Sequence, residues 1–169
     1  MGGGMNMGAD VADYDREYQW RLGSLHANLG TLELALRVTL YLMDTPRAER
    51  LPYTFRIAGL GIGSQLPESW LTRWAYLSNF VEEYNKRQLA NGLAPVDQGI
   101  VDLRNELAHG LISSETPNDP FTLIRLSRPQ NGYVTVLSQW HMTREWIDDQ
   151  IQRVNRAATI VIARLNELR

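Results

Sequence analysis

Apolar residues recur every three or four positions over two long stretches of the chain, and this spacing predicts two long amphipathic helices. The first stretch runs from Leu22 to Met43, and a second apolar row widens the face that it can bury. The other stretch follows Thr143, a residue type that caps helix N-termini, and runs from Ile147 to Leu168. Two apolar seams of this length favour near-antiparallel packing of the two helices.

Two shorter helices are expected between the long ones. Pro67 lies near the start of the first, and Asn91 and Gly92 end it. Its apolar side is rich in aromatic residues and carries Trp70, Trp74, Leu77, Val81 and Tyr84. Pro95 opens the next helix, and Gly110 occupies the position of a left-handed C-terminal cap.

A β-hairpin is expected before the last helix. Residues 121–127 and 133–140 are rich in β-branched and aromatic residues, and the turn-forming residues 128–132 separate them. These elements together predict an all-α fold, an up-and-down four-helix bundle with a small β-hairpin inserted before the last helix. Residues 1–11 are expected to be a flexible leader, and residues 12–169 a single helical domain.

Composition narrows the chemistry that is available. The chain has 169 residues, 44% of them hydrophobic and 21% charged, with a formal charge of −2 and no cysteine. The absence of cysteine excludes disulfide scaffolds, thiol nucleophiles and zinc-cysteine clusters. The apolar runs are far shorter than the roughly 18 residues of a membrane span, so we expect a cytoplasmic protein without membrane contact.

Candidate chemistry concentrates on the third helix. At about 100° per residue, the apolar side of residues 98–111 faces the core and carries Ile100, Leu103, Leu107 and Leu111. A polar stripe on the opposite side consists of Gln98, Asp102, Asn105 and His109. His109 therefore lies outward on the last turn, where Asn105 or Asp102 could orient its ring by a hydrogen bond.

Arg104 does not belong to this stripe, because it lies about 140° around the helix from His109 and beside the apolar face. A guanidinium in that position needs an anion, since burial of an unpaired charge costs several kcal/mol. Two anions remain open at this stage. One is Glu33, a carboxylate within the apolar part of the first helix, and the other is an external phosphate.

The segment from Arg104 to Gly110, Arg-Asn-Glu-Leu-Ala-His-Gly, resembles the signature of the HEPN superfamily. In that family an Arg is followed, after four to six residues, by a His on a helix of a four-helix bundle. Here four residues intervene, and Asn105 fills the polar position that commonly follows the Arg.

This resemblance implies a metal-independent endoribonuclease that acts as a homodimer. Arg104 and His109 would be its catalytic pair, with Asn105 as the supporting polar residue. The helix positions described above, and not the resemblance, add Asp102 and Glu33 as supporting candidates. Neither a cofactor nor a metal is expected, and the products would carry 2′,3′-cyclic phosphate ends. Many small HEPN proteins are toxins or defence effectors, so the expected partners are RNA, a second copy and a cognate antitoxin.

A second interpretation, in which the protein is not an enzyme, is also consistent with the sequence. In that reading the chain is a helical dimerisation or interaction module, Arg104 pairs internally with Glu33, and His109 only caps its helix. The environment of Arg104 distinguishes the two interpretations, because an enzyme needs the guanidinium to be available to a phosphate.

Overall fold

The computed structural model of the chain describes residues 7–50, 65, 67–114 and 120–169, with side chains from residue 16 onward. These ranges contain four α-helices, a short 3₁₀-helix at Arg47–Glu49 and three β-strands. The helices are α1 (Met7–Asp44), α2 (Leu77–Ala90), α3 (Gly99–His109) and α4 (Arg144–Leu168). The strands are β1 (Leu111–Ser113), β2 (Phe121–Leu126) and β3 (Val136–Met142).

The three strands form one antiparallel sheet in the order β1-β2-β3. The expected all-α fold is therefore wrong, and the protein has a mixed α+β fold. The expected hairpin is present as β2 and β3, and its turn has positive φ angles of 52° at Asn131 and 81° at Gly132. The strand that sequence reasoning missed is β1, because three residues are too few to show an alternating pattern.

The chain divides into two compact units. The first consists of residues 1–29 and 99–155, and it contains the beginning of α1, all of α3, the sheet and the beginning of α4. The second consists of residues 30–98 and 156–169. Of the expected leader, residues 7–11 belong to α1, and residues 1–6 lie outside the described part of the chain.

In the first unit, α1 and α4 run parallel to each other. Glu17 of α1 binds Arg144 of α4 at 3.0 Å, and one turn further along both helices Arg21 binds Asp148. The expected antiparallel, up-and-down arrangement is therefore wrong. The repeat of apolar residues defines which face of a helix is buried, but it carries no information about the direction of the helix that packs against that face.

The N-terminal end of α4 is as expected. The backbone N–H of Trp146 donates to the Thr143 hydroxyl at 3.1 Å, which satisfies one of the free donors in the first turn. The apolar positions of this helix are buried at Ile147 and Val154 in the first unit and at Val161 and Leu165 in the second.

In the second unit, α2 begins ten residues later than expected, at Leu77 instead of Pro67. Residues 69–73 form a turn, in which the N–H of Arg73 donates to the Ser69 carbonyl at 2.7 Å. Trp74, expected on the buried side, is 99% exposed, whereas Phe80 and Tyr84 are fully buried. Aromatic spacing alone could not distinguish a helical turn from an isolated turn that precedes a helix.

The third helix also starts later than expected, at Gly99 instead of Pro95. The side chain of Asn85 on α2 bonds both backbone groups of Val96, with a 2.7 Å bond from the Val96 N–H and a 2.8 Å bond to its carbonyl. The glycine-rich stretch of residues 59–63 lies outside the described residues. No helix in the described part of the chain has the length and apolar character of a membrane-spanning segment.

Candidate functional site

The buried side of α3 fixes how its polar residues are presented. Ile100, Leu103 and Leu107 are buried, as their spacing indicated. Leu111 is 59% exposed and belongs to β1, so its expected place on the helix face is wrong. The helix ends at His109 because the chain enters the sheet two residues later.

Gly110 joins α3 to β1 at a point where its backbone lies very close to β2 and to the last turn of α3. Its backbone is not left-handed, so the expected cap conformation is wrong. A Cβ atom at this position would collide with the Leu123 side chain on β2 and with the Glu106 carbonyl oxygen. The glycine is required for space, and the N–H of Gly110 donates to that same carbonyl at 2.7 Å.

His109 is exposed in the last turn of α3, and Arg104 is half-buried five residues earlier. On an α-helix this separation corresponds to about 140° around the axis and about 7.5 Å along it. One copy of the helix therefore directs the imidazole and the guanidinium to different sides. Among the described residues neither Asn105 nor Asp102 hydrogen-bonds to His109, and Asn105 instead accepts from Arg104 Nη1 at 3.4 Å.

The guanidinium of Arg104 pairs with no carboxylate in the described ranges. Three other half-buried arginines do have such partners: Arg21 pairs with two acids, Arg37 with Glu33, and Arg87 with Glu83 and Asp44. Half-buried Arg125 on β2 resembles Arg104 in pairing with no carboxylate of the described ranges. Glu33, the expected internal anion for Arg104, accepts two hydrogen bonds from Arg37 at 2.8 and 3.0 Å. A half-buried guanidinium without a counter-charge is suited to take an external anion.

A groove of about 260 Å³ lies beside α3 in the first unit. We call it the α3–α4 groove. Residues of α3, β3 and α4 line it, namely Gly99, Asp102, Leu103, Glu106, Trp140, Trp146, Gln150 and Arg153. Sequence reasoning placed only Asp102 of this set among the candidate site residues. The lining residues of β3 and α4 come from elements whose packing against α3 the local pattern does not reveal.

A row of three polar residues on α3 connects this groove to His109. Asp102, Glu106 and His109 are four and three residues apart, so they follow one face of the helix. Glu106 is held in place, because the Ser138 hydroxyl on β3 donates to its Oε1 atom at 3.0 Å. Asp102 is exposed and has no hydrogen-bond partner among the described residues.

No group of three or more potential metal ligands occurs within the described part of the chain. The chemistry that these side chains offer is proton transfer at His109 and anion binding at Arg104. Comparison with known proteins adds no further assignment: no family model, no curated protein and no solved structure matches this chain.

Proposed function

We propose that the protein is a metal-independent endoribonuclease that acts as a homodimer, with Arg104 and His109 as its catalytic pair. The observation that carries this proposal is the half-buried guanidinium of Arg104, which has no carboxylate partner in the described ranges while Arg37 occupies Glu33. The exposed imidazole of His109 on the same helix and the resemblance to the HEPN signature support it.

The proposed reaction is transfer of the phosphoryl group within the RNA strand. The ribose 2′-oxygen forms a bond to phosphorus, and the bond from phosphorus to the 5′-oxygen of the next nucleotide breaks. One His109 takes the proton of the 2′-hydroxyl, and an imidazolium delivers a proton to the departing 5′-oxygen. Arg104 binds the phosphate oxygens and stabilises the charge that develops on them. The products are a 2′,3′-cyclic phosphate and a free 5′-hydroxyl.

A second copy of the chain would bring an Arg104 and a His109 close to the same phosphate. Because Arg104 and His109 diverge by about 140° on one helix, a phosphate meets both groups most readily when they come from two protomers. Most soluble homo-oligomers have closed symmetry, and a twofold axis beside α3 brings two copies of each residue to one cleft. Asn105, bonded to Arg104, then holds the guanidinium in its binding orientation.

The primary test is cleavage of single-stranded and structured RNA in the presence of EDTA. We expect the wild-type chain to cut, and His109→Ala to lower the rate by roughly two to four orders of magnitude. Arg104→Lys keeps the charge but loses the planar fork, so it should also be strongly impaired. His26→Ala, at another exposed histidine of the same unit, is the matched control and should cut normally. Intact RNA at high protein concentration would refute the proposal.

Mixing two inactive variants tests the composite site. In a 1:1 mixture of Arg104→Ala and His109→Ala chains, half of the dimers are mixed and each retains one intact cross-protomer pair. We expect the mixture to recover cleavage after subunit exchange, up to roughly a quarter of the wild-type activity, because each mixed dimer holds one Arg104 and one His109 instead of two of each. If Arg and His act within one protomer, no mixed dimer contains an intact pair and the mixture stays inactive.

A toxin or defence role in the cytoplasm, with a cognate antitoxin as partner, extends this proposal. Induced expression of the wild-type chain should then arrest growth, and expression of the His109→Ala chain should not. The alternative of a non-catalytic interaction module requires an internal counter-ion for Arg104, and Glu33 is already bound by Arg37. Dimer formation without any RNA cleavage would favour that module.

A further inference from the structure

The α3–α4 groove combines acidic, basic and aromatic side chains in one small space. Asp102 and Glu106 contribute carboxylates, Arg153 contributes a guanidinium, and Trp140 and Trp146 contribute indole rings. Carboxylates alone would favour a cation, and a guanidinium alone would favour an anion. Both signs beside aromatic rings suit a planar, uncharged ligand that has hydrogen-bond donors on one edge and acceptors on another.

The size of the groove limits the ligand to a small one. Its volume of about 260 Å³ lies below the roughly 300–1,000 Å³ of pockets that take drug-sized ligands. A single heterocyclic base fits this limit better than a whole dinucleotide cofactor does.

The two indole rings provide aromatic surface for such a base. Their centroids lie 6.5 Å apart with an angle of 30° between the ring planes, and Trp140 is 44% exposed. Exposed aromatic rings bind the bases of single-stranded nucleic acids by stacking, which contributes similarly for every base type because each base has a π face. The rings thus account for affinity, and the polar groups must account for any selection among bases.

Asp102 is the group that can distinguish one base from another. Its carboxylate has two acceptor oxygens side by side, and no described residue donates to them. Guanine is the one standard base whose pairing edge presents two adjacent donors, the ring N–H and the exocyclic amino group. Its remaining polar edge, O6 and N7, consists of acceptors that suit the guanidinium of Arg153, which also donates to the Gln150 side chain at 3.3 Å.

We propose that the α3–α4 groove binds a guanine base of the RNA substrate, with Asp102 as the specificity-determining residue and Trp140 as the stacking residue. This inference rests on the proposed ribonuclease function. Along the axis of α3, His109 lies about 4.5 Å beyond Glu106 and about 10.5 Å beyond Asp102. A nucleotide held in the groove by its base therefore keeps its ribose and phosphate within reach of His109, and cleavage occurs next to guanosine.

Equilibrium binding of 5′-GMP, 5′-AMP, 5′-CMP and 5′-UMP to the full chain tests the groove without any cleavage step. Calorimetry gives the affinities. One bidentate base contact corresponds to roughly 5- to 160-fold discrimination, so GMP should bind more tightly than the other three by a factor in that range. Asp102→Asn should remove this preference, and Glu82→Gln, an equal charge change at an exposed site outside the groove, should retain it.

Trp140→Ala separates stacking from selection. This substitution should weaken the binding of all four mononucleotides by a similar factor and leave the order of their affinities unchanged. Equal affinity for the four nucleotides, no binding of any of them, or a GMP preference that survives Asp102→Asn would each overturn the inference. Displacement of GMP by an arginine-rich peptide that binds more tightly and depends on Asp102 would also overturn it, in favour of a basic-peptide site.

The two proposals fail in different ways. If the groove discriminates GMP through Asp102 but RNA stays intact in EDTA, the ribonuclease function is wrong and guanine recognition stands. If RNA is cut in a His109-dependent manner at all four nucleotides alike, and the mononucleotides bind equally, the ribonuclease function stands and the guanine subsite is wrong.

Discussion

Replacement of Gly110 by alanine tests how closely the end of α3 lies against the sheet. The added Cβ would collide with the Leu123 side chain, which can move slightly, and with the Glu106 carbonyl oxygen, which is part of the helix backbone. Overpacking of this kind costs typically about 1–3 kcal/mol. We therefore expect Gly110→Ala to lower the free energy of unfolding by an amount in that range.

The same substitution at Gly30 provides a matched control with the opposite sign. Gly30 lies in the interior of α1, is exposed, and has no atom within 4 Å of the position of an added Cβ. Alanine is favoured over glycine in a helix interior by about 0.8–1 kcal/mol, so Gly30→Ala should stabilise the protein. Two chemically identical substitutions should therefore differ by roughly 2–4 kcal/mol.

Urea unfolding followed by far-UV circular dichroism measures both variants against the wild-type chain. Under the proposed ribonuclease function, Gly110→Ala should also reduce RNA cleavage, because relief of the collision moves the last turn of α3 and His109 with it. The close approach would be refuted if Gly110→Ala unfolded at the wild-type urea concentration or above it. A loss of stability in Gly30→Ala would show instead that the helix-propensity argument fails in α1.

Three further predictions concern residues outside the proposed site. The hydroxyl of buried Tyr84 has no hydrogen-bond partner among the residues that the structure describes. Tyr84→Phe should therefore leave stability unchanged or raise it by about 1–3 kcal/mol, measured by urea unfolding, and a loss above 1 kcal/mol would reveal an unrecognised partner. Burial raises the pKa of Tyr84 to about 12, so the unfolded chain loses the phenol proton at a lower pH than the folded chain does. Stability should therefore fall as the pH rises from about 10 through 12, and an equally steep fall in Tyr84→Phe would refute this cause. The hydrogen bond from Arg87 holds the pKa of Asp44 below its usual value. Asp44→Asn should therefore lower the free energy of unfolding by at most about 1 kcal/mol at neutral pH, and this loss should vanish in acid as wild-type Asp44 becomes protonated. A loss of stability that persisted in acid would contradict its origin in the ion pair.

Local sequence signals determined a definite part of this structure. The Thr143 cap, the hairpin turn at Asn131 and Gly132, and the buried positions Ile100 and Leu103 follow from interactions within a few residues. Such interactions leave a pattern in the sequence, because a cap or a helical face needs particular residue types at fixed spacing. The exposed position of His109 at the end of its helix follows for the same reason.

The tertiary structure decided what depends on contacts between distant segments. The parallel course of α1 and α4, the third strand β1, and the start of α2 after the exposed Trp74 have no local signature. The α3–α4 groove is of the same kind, since Trp140 and Asp102 come from elements that are distant along the chain. Periodicity states which side of an element is apolar, whereas partner and direction are set by the packing of the whole chain.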